Sequence, residues 1–247
     1  MVISYIFDVD GTLTPARESM EKEFHDSFIS WVESQSELGN NVYLVTGSDK
    51  EKTVEQVGLK VYNLVDGVYQ NCGNELYKKG QLCKSNKWSL PKKIEVKIDK
   101  LLQSSEWYGK SSGNKEARVG MLNISTIGRD CSIEDRAEYY LWDKKNGERR
   151  KIANELNVNF PSIEAVVGGE ISIDIYPKGR DKSQILSDMI GDTIFFGDKC
   201  YRGGNDYSIS CRATETYHVA DWEQTSDILA VLNKLDELDK EDNLCEL

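Results

Sequence analysis

The chain has 247 residues, with 31 lysines and arginines against 42 acidic residues and a formal charge of −11. A content of 39% hydrophobic and 30% charged residues can build a core in one large domain or two modest ones, and excludes wholesale disorder. The negative balance argues against binding nucleic acid or an anionic membrane through a general basic field, so an anionic ligand must meet a local basic cluster.

The opening, MVISYIFDVDG, lacks the basic and long apolar regions of a signal peptide. No apolar run approaches the ~20 residues of a membrane span, and a cytoplasmic protein is expected. Val2-Ile3-Ser4-Tyr5-Ile6-Phe7 reads as a strand buried on both faces and ending at Asp8. A helix is predicted from Ser19, with Met20, Phe24, Phe28 and Val32 four residues apart. Residues 41–45 form a second strand that ends at Thr46-Gly47-Ser48. Ser48 and Glu51 then have the spacing of a capping box for another helix. Strand, polar turn and helix, twice in sixty residues, predict an α/β parallel sheet.

The middle of the chain differs. Pro91 opens a helix carrying Ile94, Ile98 and Leu101, and a Ser/Gly/Asn-rich loop leads into one predicted strand over 118–127. Ser132 and Asp135 can cap a helix with Tyr139, Tyr140 and Trp142, a stripe read as core, broken near Asn146-Gly147. Residues 170–176 alternate, with Ile171, Ile173 and Ile175 on one face and Ser172 and Asp174 on the other. Residues 111–151 hold nine basic and seven acidic side chains, a local positive excess in an acidic chain. After Pro177 the first pattern returns. A short helix begins near Lys182, the strand Thr193-Ile194-Phe195-Phe196 ends in Gly197-Asp198, and a final helix with Ile228, Leu229, Leu232 and Leu235 precedes an acidic tail. The expected organisation is a core domain of residues 1–77 and 180–247, interrupted by an inserted α+β cap, residues 78–179. The six cysteines, Cys72, Cys83, Cys131, Cys200, Cys211 and Cys245, form no C-x-x-C pair, and His25 and His218 stand apart. Reduced thiols are expected, without disulfides or zinc.

Four segments carry chemistry. Asp8 and Asp10 lie two apart on the loop after a buried strand, where open α/β sheets bind ligands. Thr46, Gly47 and Ser48 offer a hydroxyl and backbone amides to a phosphate. Lys182 places a positive charge at a helix start. Asp198, followed by Gly203-Gly204-Asn205-Asp206, can complete a site for a hard cation. Each alone is an ordinary turn, cap or surface charge. Together, and in this order, they point to phosphoryl transfer, where catalysis is positioning plus cationic stabilisation.

This set resembles the haloacid dehalogenase superfamily, whose signature is D-x-D-G-T, a small hydroxyl residue, a lysine and a closing acidic pair. The resemblance implies a Rossmann-like core with an inserted cap. It also implies Asp8 as nucleophile, Asp10 as general acid/base with a raised pKa, Lys182 as catalytic cation, and Mg²⁺ held by Asp8, Asp10 through its carbonyl, Asp198 and Asp206. The insert is similar to the cap of the eukaryotic-type phosphomannomutases. Arg118-Val119-Gly120-Met121-Leu122-Asn123-Ile124-Ser125 with Ile127-Gly128-Arg129, Glu134-Asp135-Arg136 and Gly168-Gly169-Glu170-Ile171-Ser172-Ile173-Asp174 carry that resemblance, as do 12–17, 47–52 and 195–199. It implies that Arg17, Arg118, Arg129 and Arg136 grip the sugar's distal phosphate while Ser172 and Asp174 hold sugar hydroxyls.

The implied reaction interconverts mannose 6-phosphate and mannose 1-phosphate. Glucose 1,6-bisphosphate or mannose 1,6-bisphosphate would activate it, in the cytoplasm, on the route to GDP-mannose, in a homodimer formed through the cap. The sequence departs from the family pattern at Val119, Thr126, Arg180, Cys200-Tyr201-Arg202 and Asn71-Cys72-Gly73. These departures leave open the hexose preference and two alternatives, a sugar-phosphate phosphatase and a non-catalytic sugar-phosphate-binding protein.

Overall fold

Phe7 and Phe196, on neighbouring strands, stack with ring centroids 4.6 Å apart inside the larger of two sheets. A computed structural model describes residues 2–245, with the side chains of 237 and 239–245 left out, among them the Cys245 thiol. The first elements are β1 (Ile3–Phe7), α1 (Lys22–Glu37), β2 (Asn41–Val45), α2 (Lys50–Leu64), β3 (Gly67–Gln70), β4 (Glu75–Lys78) and β5 (Gln81–Ser85). Next come α3 (Lys92–Gln103), β6 (Lys115–Arg118), β7 (Met121–Ser125), α4 (Ile133–Asn146), α5 (Glu148–Asn159), β8 (Ile163–Gly168) and β9 (Ser172–Pro177). A 3₁₀ turn over Lys182–Asp188, β10 (Asp192–Gly197), α6 (Tyr207–Ser210), β11 (Glu215–His218) and α7 (Trp222–Cys245) complete the chain.

The larger sheet has the order β11-β10-β1-β2-β3-β4-β5. From β11 to β3 the pairing is parallel, and the β4–β5 hairpin closes the edge antiparallel. Tyr5, Phe7 and Phe196 face α1 and α7, against Phe28, Trp31 and Leu229. Ile6 and Phe195 point the other way, onto Tyr69, Ile185 and Ile209. This period of two, apolar on both faces, is the pattern of a doubly covered parallel sheet. The second sheet is antiparallel, β6-β7-β9-β8, and packs one face on α3 and α5 through Ile94, Ile98, Leu122, Ile124, Leu156, Ile173 and Ile175.

Several boundaries differ from the sequence reading. The chain leaves the large sheet after Ser85, not at 78, because β5 pairs with β4 although its side chains are mostly exposed. The expected strand 118–127 is two strands, β6 and β7, hinged at Gly120, whose φ of 72° makes the turn. Asp49, not Ser48, caps α2, accepting from the Lys52 N–H at 3.0 Å. The first helix starts at Lys22, with Met20 buried ahead of it. The segment at Lys182 is a 3₁₀ turn, and α7 continues through the acidic stretch to Cys245. Tyr139 is core, packed on Trp107 and Trp142, whereas Tyr140 lines a cavity shared with Asp8 and Arg129. The five cysteines with described side chains are free.

Candidate active site

The carboxyl ends of β1, β2 and β10 deliver Asp8, Thr46 and Asp198 to one edge of the sheet. There a cavity of 390 Å³ opens between the two sheets. Asp8, Asp10, Arg17, Thr46, Gly47, Ser48, Arg118, Arg129, Ser172, Asp174 and Asp198 line it, so eleven of the fourteen residues expected from sequence meet in one place. Lys182 and Asp206 sit beneath, fully buried. Arg136 does not line the cavity. Its charge acts on Arg17, while one of its guanidinium nitrogens, Nη1, is buried without a partner.

Lys182 is the centre of the floor. Its Nζ lies 2.6 Å from Asp8 and 2.7 Å from Asp206. Burial disfavours its charge, but Asp206 and Asp8 outweigh that and drive its pKa up. Asp8 is pushed up to about 8 by burial, Asp206 and Asp198, against the pull of Lys182. Carboxylate oxygens of Asp8, Asp198 and Asp206 lie within 4.8 Å of one another. Asp198 contacts the Lys199 ammonium, yet its Oδ1, like Asn205 Oδ1, is buried without a partner. Three carboxylates thus face two ammonium groups, with two oxygens unsatisfied. Such a set of hard oxygen donors fits a divalent cation such as Mg²⁺. Gly11, at φ 85°, allows the approach: a Cβ there would stand 2.7 Å from Asp198 Oδ2.

Asp10 faces away from this cluster. Its carboxylate accepts from Gln56 Nε2 at 2.8 Å and the Arg17 N–H at 3.0 Å, and pairs with Lys52 at 3.4 Å. Burial raises its pKa, but Lys52, Gln56 and the Arg17 amide together hold it below the ordinary carboxylate value. The upward shift expected from sequence is therefore reversed. An ionised Asp10 is set to accept a proton in the resting site, and an arriving phosphate dianion would raise its pKa toward the donor role.

The second sheet supplies the opposite wall. Arg118 bonds Glu116 at 2.7 Å and reaches across to donate to the Gly47 carbonyl at 2.6 Å. Arg129 Nε lies 2.5 Å from Glu116 as an ion pair without hydrogen-bond alignment, and its Nη2 donates to Asn123. Asn123 in turn donates to Asp174 Oδ1 at 2.6 Å, its register partner on β9. Partial desolvation and mutual repulsion lower the pKa of Arg17, Lys52 and Arg129. Cations crowded in this way fit an anion. Arg149 is buried, pairs with Asp143 at 2.7 Å, and donates to the carbonyls of Gly168, Gly169 and Ser172, fixing the turn before Ser172 and Asp174.

Lys52, Gln56, Glu116, Asn123, Arg149 and Asn205 were not among the candidates from sequence. Lys52, Gln56 and Asn123 act through partners more than forty residues away, and only the quoted motifs around Lys52, Asn123 and Asn205 hinted at these residues.

The family model of eukaryotic phosphomannomutase matches residues 32–235. The chain belongs to that family. Among its relatives is a phosphomannomutase of Arabidopsis thaliana, 38% identical over 83% of this chain and 85% of that protein. Another is that of Saccharomyces cerevisiae, 34% identical over 83% of each. A haloacid dehalogenase-like hydrolase from Bacteroides thetaiotaomicron shares the fold, with a TM-score of 0.60 at 14% identity, over 94% of this chain and all of that one. The family membership and α/β haloacid dehalogenase fold expected from the motifs hold. Among the described residues no helix is long and apolar enough to cross a membrane.

Proposed function

We propose that the chain is a phosphomannomutase that interconverts mannose 6-phosphate and mannose 1-phosphate through an aspartyl phosphate at Asp8. One observation carries this reading: a single cavity combines the Asp8–Asp10 pair with the Arg17, Arg118 and Arg129 cluster. A phosphatase needs one phosphate site, at the nucleophile. A mutase needs a second, because the sugar keeps one phosphate while exchanging the other.

In this reading the phosphoryl group carried by primed Asp8 passes to a free hydroxyl of the sugar monophosphate, and Asp10 removes the proton of that hydroxyl as it attacks. The sugar bisphosphate so formed turns over, its other phosphoryl group returns to the Asp8 carboxylate, and Asp10 gives its proton to the sugar oxygen released. Lys182 keeps Asp8 in place against its buried neighbours. Thr46 and the Gly47–Ser48 amides donate to the phosphoryl oxygens. Asp8, Asp198 and Asp206, with the Asp10 carbonyl, would hold Mg²⁺, which supplies positive charge against the phosphate. Arg17, Arg118 and Arg129 hold the distal phosphate, with Arg136 behind Arg17, and Ser172 and Asp174 meet the sugar hydroxyls.

Residues up to about 85 and from 180 onward act as the core, and the segment between them as the cap. A sugar bisphosphate, glucose 1,6-bisphosphate or mannose 1,6-bisphosphate, primes Asp8. The exposed Ile133 and Leu141 on α4 support a homodimer through the cap. A cytoplasmic role in supplying GDP-mannose follows from the reaction. Coupled assays with and without glucose 1,6-bisphosphate test the proposal. Mutase turnover that needs the bisphosphate and releases little phosphate is expected, whereas phosphate release without it, or no turnover, would overturn the reading.

A further inference from the structure

A second cavity, of 540 Å³, opens where the cap meets the loop that carries Asn205 and Asp206. Arg150, Asn154 and Glu164, from α5 and β8, form one wall. Arg202, Tyr207 and Ser208, from the loop and α6, form the other. The walls touch at a single parallel β-bridge between Val167, on the free edge of the second sheet, and Gly204. A Cβ on Gly204 would stand 2.2 Å from the Lys199 carbonyl, so the loop's own turn needs glycine there. Nothing in the proposed phosphoryl transfer uses these residues.

Arg150, Asn154, Arg202 and Tyr207 are exposed in this cleft. Among the described residues neither Arg150 nor Arg202 meets a carboxylate or any other partner, and the same holds for the Asn154 amide and the Tyr207 hydroxyl. Ser208 Oγ is buried and unpartnered. In a chain with 42 acidic side chains against 31 basic ones, two arginines without an acidic partner in the lining of one concavity stand out. Glu164 is the acidic member of the lining, and burial pushes its carboxyl up. Arg202 also belongs to the Cys200-Tyr201-Arg202 segment, where the chain departs from the family's turn.

We propose that this cleft binds the phosphate group of a small phosphate monoester between Arg150 of the cap and Arg202 of the core. Two guanidinium forks, an amide and two hydroxyls match the acceptor oxygens of a phosphate. The volume lies in the range of small-molecule sites. Because one arginine belongs to the cap and the other to the core, a ligand held by both ties the two walls together across the cleft. The same loop carries Asp206, so occupancy of the cleft steadies the floor of the active site from outside.

Titration of the isotopically labelled full chain with inorganic phosphate, in the presence of Mg²⁺ and followed at the arginine side-chain N–H resonances, tests this. Arg150 and Arg202 should shift together on one saturating isotherm, separate from that of Arg118 and Arg129. Arg202→Gln should weaken the isotherm seen at Arg150 by about tenfold, the lower end for a charge-assisted hydrogen bond at an exposed site. It should leave the response of Arg118 and Arg129 and the basal turnover unchanged. The proposal fails if Arg150 and Arg202 stay still while the active-site arginines saturate. It fails equally if Arg150 responds alike in wild type and Arg202→Gln.

Discussion

Arg129→Ala separates the two phosphate sites of the proposed reaction. The Arg129 side chain is 22% exposed, lines the cavity and shares Glu116 with Arg118. Its removal leaves Glu116 paired with Arg118 at 2.7 Å, so the ion pair survives and the cavity loses one cation. A charge-assisted hydrogen bond contributes about 1.5–3 kcal/mol, and at this partial exposure about 2 kcal/mol is expected. That corresponds to ~30-fold in kcat/KM for mannose 1-phosphate. The assay is the coupled conversion to mannose 6-phosphate, run beside hydrolysis of para-nitrophenyl phosphate. The latter has no second phosphate and should keep its wild-type rate. Equal losses on both substrates with an unchanged thermal midpoint would refute the placement of Arg129 at a distal phosphate. A lowered midpoint would assign it to the fold.

Asp8→Asn should abolish mutase turnover and block labelling by beryllium fluoride, with no loss of thermal stability, since Lys182 keeps its pair with Asp206 at 2.7 Å; surviving turnover would exclude Asp8 as nucleophile. Lys182→Met leaves Asp8 and Asp206 buried without their shared cation and should cost about 3–5 kcal/mol in urea denaturation, partly recovered by Mg²⁺. A change within error would mean that the pair is not ionised. In metal-free protein Asp8 has its pKa raised from 3.8 to about 8. The folded state then holds a proton between those values that the unfolded chain has lost. Its contribution to stability is full below the unfolded pKa and disappears as pH rises through the folded one. Mg²⁺ added near neutral pH should expel that proton, giving a calorimetric heat that varies with buffer ionisation enthalpy; a buffer-independent heat would contradict it.

Asp8, Thr46 and Asp198 were legible because each closes a short apolar run, and a buried parallel strand has a fixed end at which ligands bind. Ser172 and Asp174 were legible through period-two alternation. What the sequence hid is non-local. The lowered pKa of Asp10 depends on Lys52 and Gln56, 42 and 46 residues away, and no pattern near Asp10 announces them. Asn123 is a neutral amide in an apolar strand, and its role exists only once β9 lies beside β7 in register. β5 escaped notice because Gln81-Leu82-Cys83-Lys84-Ser85 is an edge strand with little buried surface, and its membership rests on backbone pairing that side chains do not advertise.

The grip of Arg149 on three carbonyls gives the strand proposed to meet the sugar a fixed backbone that does not depend on what is bound. A hexose that must turn end over end between two half-reactions therefore meets the same lattice of acceptors and donors each time, and the motion belongs to the ligand. Exchanges at Ser172 or Asp174 will alter hexose choice through the new side chain alone. An exchange at Arg149, which does not line the cavity, will loosen the template and blur the distinction between hexoses that differ at one hydroxyl.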